Sequence, residues 1–253
     1  MMQRDKSGIF IMAAIIVIAI ALLAVCILYY SSRDRSPDVK SPSEEELRQA
    51  YARAIEDAKR IGENEIYHNL TPILESNKNL IWLNDSDGER VLVVTWTAWD
   101  GYVNQTAANV TREVWVTAAP QLKDFIAESN LSGEGCVLRL EQLLGLPPHN
   151  GKKWFIEVWA RPGDLYRPTP DNEINDTEAE LDFPENTSPE YKQWFNNLKD
   201  TSYGPNGFPW TRLGYTYDWG NPKTTVGLSE FVIKNGAVIK INAINKNEGY
   251  CNA

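Results

Sequence analysis

The chain begins with an unbroken apolar run from Ile9 to Tyr30 that contains no charge, no Gly and no Pro. About 20 such residues, at 1.5 Å each, form a helix long enough to span the hydrocarbon core of a bilayer. The pattern then reverses. Residues 31–43 are polar and charged and carry Pro37 and Pro42, a composition that builds a tether rather than a core. Ser43-Glu44-Glu45-Glu46 reads as a helix-capping box, and Leu47, Tyr51, Ala54, Ile55, Ala58 and Ile61 follow at helical spacing up to Gly62. Glu44–Arg48 and Glu56–Arg60 lie four residues apart on the wet face.

Beyond that helix the rhythm becomes β-like. Leu80–Leu83 and Arg90–Trp99 flank a cluster of turn formers and predict a hairpin, and Glu113–Thr117 predicts a further strand. Pro120–Glu128 and Leu138–Leu144 read as helices, the second stopping at Gly145. Trp154–Ala160 is an apolar strand, residues 163–189 a long surface excursion, and Pro189–Leu198 a short helix with Trp194 and Phe195. Asn235-Gly236 sits between Leu228–Lys234 and Ala237–Ala243, the strongest short-range hairpin signal. Helices and antiparallel hairpins without βαβ alternation predict an α+β fold: a transmembrane helix followed by one soluble domain, residues 44–253.

A cleaved signal peptide has an apolar region of about 7–15 residues ending at small residues, whereas this run is longer and stays bulky through Ile27-Leu28-Tyr29-Tyr30. Lipoprotein cleavage before Cys26 is disfavoured by Val25 and by the apolar residues that follow. The run therefore predicts an uncleaved anchor, with 1–8 as a cytoplasmic N-terminus. Arg4, Lys6 and the amino group against Asp5 give +2 on one flank; Arg33, Arg35 and Lys40 against Asp34 and Asp38 give +1 on the other. The positive-inside rule then leans toward an N-in orientation, with the domain outside the cytoplasm.

Asn-x-Ser/Thr acceptor triplets strengthen that orientation. They occur at Asn69, Asn84, Asn104, Asn109, Asn130, Asn175 and Asn186. With 21 Asn and 27 Ser or Thr in 253 residues, chance supplies roughly two. The excess predicts a compartment that glycosylates Asn. Cys136 and Cys251 are the only thiols beyond the span, so an oxidising compartment allows one bridge between them.

Charge narrows the partners. The chain carries 25 basic and 34 acidic residues; without Arg4, Lys6 and Asp5 the remainder is −10. That balance argues against nucleic acid and predicts contact with lipid only through residues 9–30. Catalytic motifs are missing: there is no GxSxG, HExxH, P-loop or GxGxxG. His68 and His149 are the only histidines and no CxxC occurs, so the sequence predicts neither a metal centre nor a cofactor.

Candidate binding residues come from the aromatic segment Pro209–Gly220. If extended, it sets Arg212, Gly214, Thr216 and Asp218 on one face and Leu213, Tyr215, Tyr217 and Trp219 on the other, with an Arg212–Asp218 pair expected. Trp99-Asp100 ends a strand, where binding groups concentrate. Arg212, Tyr215, Tyr217, Asp218, Trp219, Trp99 and Asp100 are thus the candidate ligand-binding residues. All nine Trp follow the span, and Trp96, Trp99, Trp115, Trp154, Trp159, Trp210 and Trp219 all fall in or beside predicted strands, where their rings serve a core or a stacking surface. The expectation is an extracytoplasmic binding or envelope-interaction domain for a glycan or protein partner. The alternative is a carboxylate-dependent glycan hydrolase drawing on Asp100, Glu113, Glu157, Asp218 or Glu230; its two acids would stand about 5–5.5 Å apart for retention or 6.5–9.5 Å for inversion.

Overall fold

The computed structural model describes residues 41–252 together with Leu22, Leu23, Val25 and Cys26, which are helical. The predicted cytoplasmic segment 1–8, nearly all of the predicted span and residues 31–40 lie outside the described residues. Among the described residues no helix is long and apolar enough to cross a membrane.

Helix α1 (Glu44–Ala58) opens with three glutamates facing the positive end of its dipole and buries Leu47, Tyr51, Ala54 and Ala58. The rest is α+β, with nine antiparallel strands and four more helices. The strands are β1 (Trp82–Asp85), β2 (Gly88–Thr97), β3 (Ala107–Asn109), β4 (Val114–Ala118), β5 (Trp154–Ala160), β6 (Leu165–Tyr166), β7 (Tyr215–Tyr217), β8 (Val226–Ile233) and β9 (Val238–Lys246). The helices are α2 (Ala119–Ser129), α3 (Gly133–Leu143), α4 (Pro189–Ser202) and α5 (Asn247–Cys251). The first predicted hairpin forms as β1–β2, with Asp85 opposite Gly88 and a two-residue loop between them.

Neighbouring strands run in the order β3-β9-β5-β2-β4-β8-β6. Ala107 lies opposite Lys240, and Thr117 lies opposite Glu230, in one unbroken register. Val110 N–H donates to Ala237 and Gly236 N–H donates to Val110 across the gap. Residues 107–118, interrupted by a bend at Arg112, therefore pair with both β9 and β8, and the sheet closes on itself. Val91, Val93, Val116, Ile156, Val158 and Phe231 fill its interior. Leu92, Val94, Trp96 and Phe155 point outward onto α2, α3 and α5. Covering both faces explains why β2 reads as a continuous apolar run rather than an alternation.

The closure corrects one expectation. Asn235-Gly236 does not make a hairpin, because β8 and β9 are not neighbours. Gly236 takes φ +88° but Asn235 does not take positive φ, so the type I′ turn is absent. A turn does form there, with Ala237 N–H donating to the Lys234 carbonyl, but it leads β9 to β3 and β5 instead of back onto β8, because those pairings outweigh a local hairpin.

Residues 163–189 also differ from expectation. Leu165–Asp171 are buried rather than on the surface. The fully buried Arg167 guanidinium donates to the carbonyls of Thr71, Asp176 and Glu178 and so satisfies backbone that has no strand partner. Its aliphatic stem lies against Gly214, where a Cβ would come within 2.6 Å of Cδ. Cys136 and Cys251 are disulfide-bonded and tie α5 to α3.

Candidate functional site

The outer face of β2, β4 and β8 is not fully covered. Between it, α4, the Phe208–Trp210 segment and the Leu144–Leu146 turn lies a cavity of about 610 Å³, within the range of about 300–1,000 Å³ common for small-molecule sites. Its walls are mostly apolar. Trp96 comes from β2, Trp115 from β4 and Trp210 from the segment after α4; Trp99 and Phe208 stand exposed on its lining. Trp115 and Trp210 meet edge-on with centroids 6.3 Å apart, and Trp210 is further held by Phe195 at 4.8 Å.

Glu230, Lys152 and Arg112 give the cavity polarity, beside Glu113, whose oxygens accept from Tyr166 and Trp194. Glu230 on β8 is only 8% exposed, and its Oε1 accepts no hydrogen bond. Burial pushes its carboxyl well above the usual range, so it holds its proton where an exposed glutamate releases it. As a neutral acid it can donate an O–H to a ligand oxygen and accept through the other oxygen. Lys152 lies on the cavity lining, where burial lowers its pKa. Arg112 stacks over Trp99 at 5.8 Å from the ring centroid. Trp210 Nε1 is a second buried polar atom without a partner.

The sheet register explains how the floor is built. Glu157, Val94, Thr117 and Glu230 are successive cross-strand partners on β5, β2, β4 and β8, so all four side chains share the outer face. Glu157 meets Lys123 Nζ at 2.6 Å and accepts from Asn242 at 2.9 Å. Glu230, three strand spacings away, meets the cavity instead.

Of the sequence-predicted binding residues, Trp99 and Tyr217 line this cavity. The others do not. Asp100 is exposed beside it. Tyr215 is buried and donates to the Glu65 carbonyl. Trp219 Nε1 donates to the Leu146 carbonyl. The expected Arg212–Asp218 pair is replaced by two separate contacts. Asp218 receives a bidentate pair from Arg139, at 2.8 and 2.5 Å. Arg212 takes φ +61° and donates to the carbonyls of Ala58 and Lys59. Those are end-of-helix carbonyls of α1, which lack intrahelical partners. Arg212 and Gly214 at positive φ bend the segment, so the alternation expected over Pro209–Gly220 survives only in β7.

Lys152, Arg112 and Phe208 had no signal in the sequence, since each sits in a loop and reaches the cavity only through the fold. Glu230 stood among the strand-borne acids and Trp115 and Trp210 among the aromatics, without a reason to group them. All seven acceptor asparagines are exposed. No family model, curated protein or solved structure matches this chain.

Proposed function

We propose that this chain is a membrane-anchored, extracytoplasmic binding domain that takes a small amphipathic molecule into the Trp-lined cavity. The observation that carries the reading is Glu230: a buried acid with a free acceptor oxygen, on the floor of an open apolar cavity. A structural residue in that place would have a protein partner, as Glu157 has. The cavity suits a flat or elongated apolar body between Trp96, Trp115 and Trp210, with a ligand oxygen at Glu230. An anionic end would find Lys152 and Arg112. The apolar run 9–30 and the seven exposed acceptor asparagines support the placement outside the cytoplasm.

The hydrolase reading finds less support. Glu113 and Glu230 are the acids on the cavity lining. Glu113 accepts from Tyr166 Oη and Trp194 Nε1, which occupy both of its oxygens. It lies four residues from Thr117, the partner of Glu230, or about 13 Å along a strand at ~3.3 Å per residue. Glu157 is three strand spacings from Glu230, about 14 Å at ~4.8 Å each. Neither spacing suits a catalytic carboxylate pair.

Titration of the full-length protein with anilinonaphthalene sulfonate, read by energy transfer from Trp, tests the binding reading. Saturable one-site binding is expected, weakened about tenfold in Trp115→Ala through loss of aromatic contact. Unsaturable binding, or binding indifferent to Trp115→Ala, would reject the cavity as the site.

A further inference from the structure

The segment around Arg167 carries a second unresolved charge problem. Asp171, Glu173 and Asp176 place one carboxylate oxygen each within 4.8 Å of one another. Asp171 is only 8% exposed, and no N–H or hydroxyl donates to it; its side-chain contact is the carboxyl of Glu180. A buried carboxylate set against another carboxyl is costly, and it persists where a cation or proton completes it.

Arg167 does not complete it. Its guanidinium is surrounded by Asp171, Glu173, Asp176 and Glu180, but its hydrogen bonds go to three backbone carbonyls. Its ion pair is with Asp176, at 3.2 Å. The three clustered carboxylates against one guanidinium leave −2 before Glu180 is counted, the charge of one divalent ion.

We infer that Asp171, Glu173 and Asp176 bind a calcium ion. The donors are all hard oxygens, and oxygens this close can share one ion at about 2.3–2.6 Å. They come from a single six-residue stretch of irregular chain, which suits the flexible coordination of calcium better than the strict octahedron of magnesium. The same stretch is sewn to the body by Leu70 N–H to Thr177 and Ile73 N–H to Ile174. Bound calcium would pin the 163–189 segment there, apart from the cavity, so this site stands or falls independently of the binding reading.

Calorimetric titration of chelator-stripped full-length protein with calcium chloride tests it. One ion per chain is expected, with Kd on the order of 10⁻⁴ to 10⁻³ M, the range of extracellular modules. Asp171→Asn should weaken binding at least about tenfold, because one of the three ligands is neutralised. Glu173→Gln changes an exposed residue, so it tests the same site even if Asp171→Asn fails to fold. Asp124→Asn, on the exposed face of α2, should leave binding unchanged. Absence of calcium binding in the parent protein, or undiminished binding in both site variants, would overturn the proposal. Magnesium binding as tight as calcium binding would overturn the choice of ion.

Discussion

Glu157 and Glu230 occupy the same rung of the same sheet and meet opposite fates. Both are buried and both point to the outer face, with Val94 and Thr117 between them. At the Glu157 end, α2 supplies Lys123, β9 supplies Asn242, and α5 packs its Tyr250 ring on Phe155 with centroids 4.2 Å apart. At the Glu230 end the covering elements stop short and leave a cavity. A buried acid is thus structural or available for binding according to what the neighbouring layer brings, not according to its own strand.

The disulfide belongs to the Glu157 end, and removing it should give the largest effect. It joins residues 115 apart in sequence, for which the chain-entropy model sets a ceiling near ~5 kcal/mol, and a measured loss of about 2–5 kcal/mol is expected. Urea unfolding of the Cys136→Ser/Cys251→Ser variant measures this. If the two ends are as distinct as their packing implies, dye binding in the cavity should survive the change while α5 loses hydrogen-exchange protection.

Lys123→Met should have a smaller effect, confined to the same end. It leaves Glu157 with Asn242 but without its countercharge. Because the Lys123 side chain is 47% exposed, the expected loss is about 1–3 kcal/mol, below that for breaking a fully buried pair. A loss under ~0.3 kcal/mol would erase the contrast between the two acids.

Glu230→Gln should cost least and act through pH. The folded carboxyl has a raised pKa, so the native state binds a proton more tightly than the unfolded chain does. That contribution is fully present below the ordinary glutamate value of 4.5 and is lost as pH rises through the folded value. Near pH ~5 the variant should lie within about 1 kcal/mol of the parent, and toward pH ~8 it should become the more stable of the two. Parallel stability–pH curves would show that Glu230 titrates normally and would remove the main support for a ligand-facing acid.

Much of the fold could be read in the residues. The α1 pattern, the strand Trp154–Ala160 and the β1–β2 turn follow from local rhythm, and each forms close to where that rhythm places it. The Cys136–Cys251 bridge was open to inference because only two thiols lie beyond the apolar run. The site was less legible. Trp99 and Tyr217 are legible by residue type, and both reach the cavity. Alternation in sequence predicts an Arg212–Asp218 pair, but backbone at positive φ sends Arg212 to a helix end while Asp218 meets Arg139. The acidic run at Asp171–Asp176 carries no metal signature in sequence, because carboxylates in an acidic chain are common and only the fold brings these three together.

What the sequence determined by itself is local: which stretches are apolar, where helices begin, how each strand divides its faces, and how many acceptor asparagines and thiols are available. Those features depend on neighbours a few residues away. The tertiary structure alone decided that the turn at Asn235-Gly236 does not pair β8 with β9, since residues more than a hundred positions earlier hold both strands. It alone decided which buried acid found a lysine and which was left facing open space, because that depends on how far a helical layer extends over a sheet.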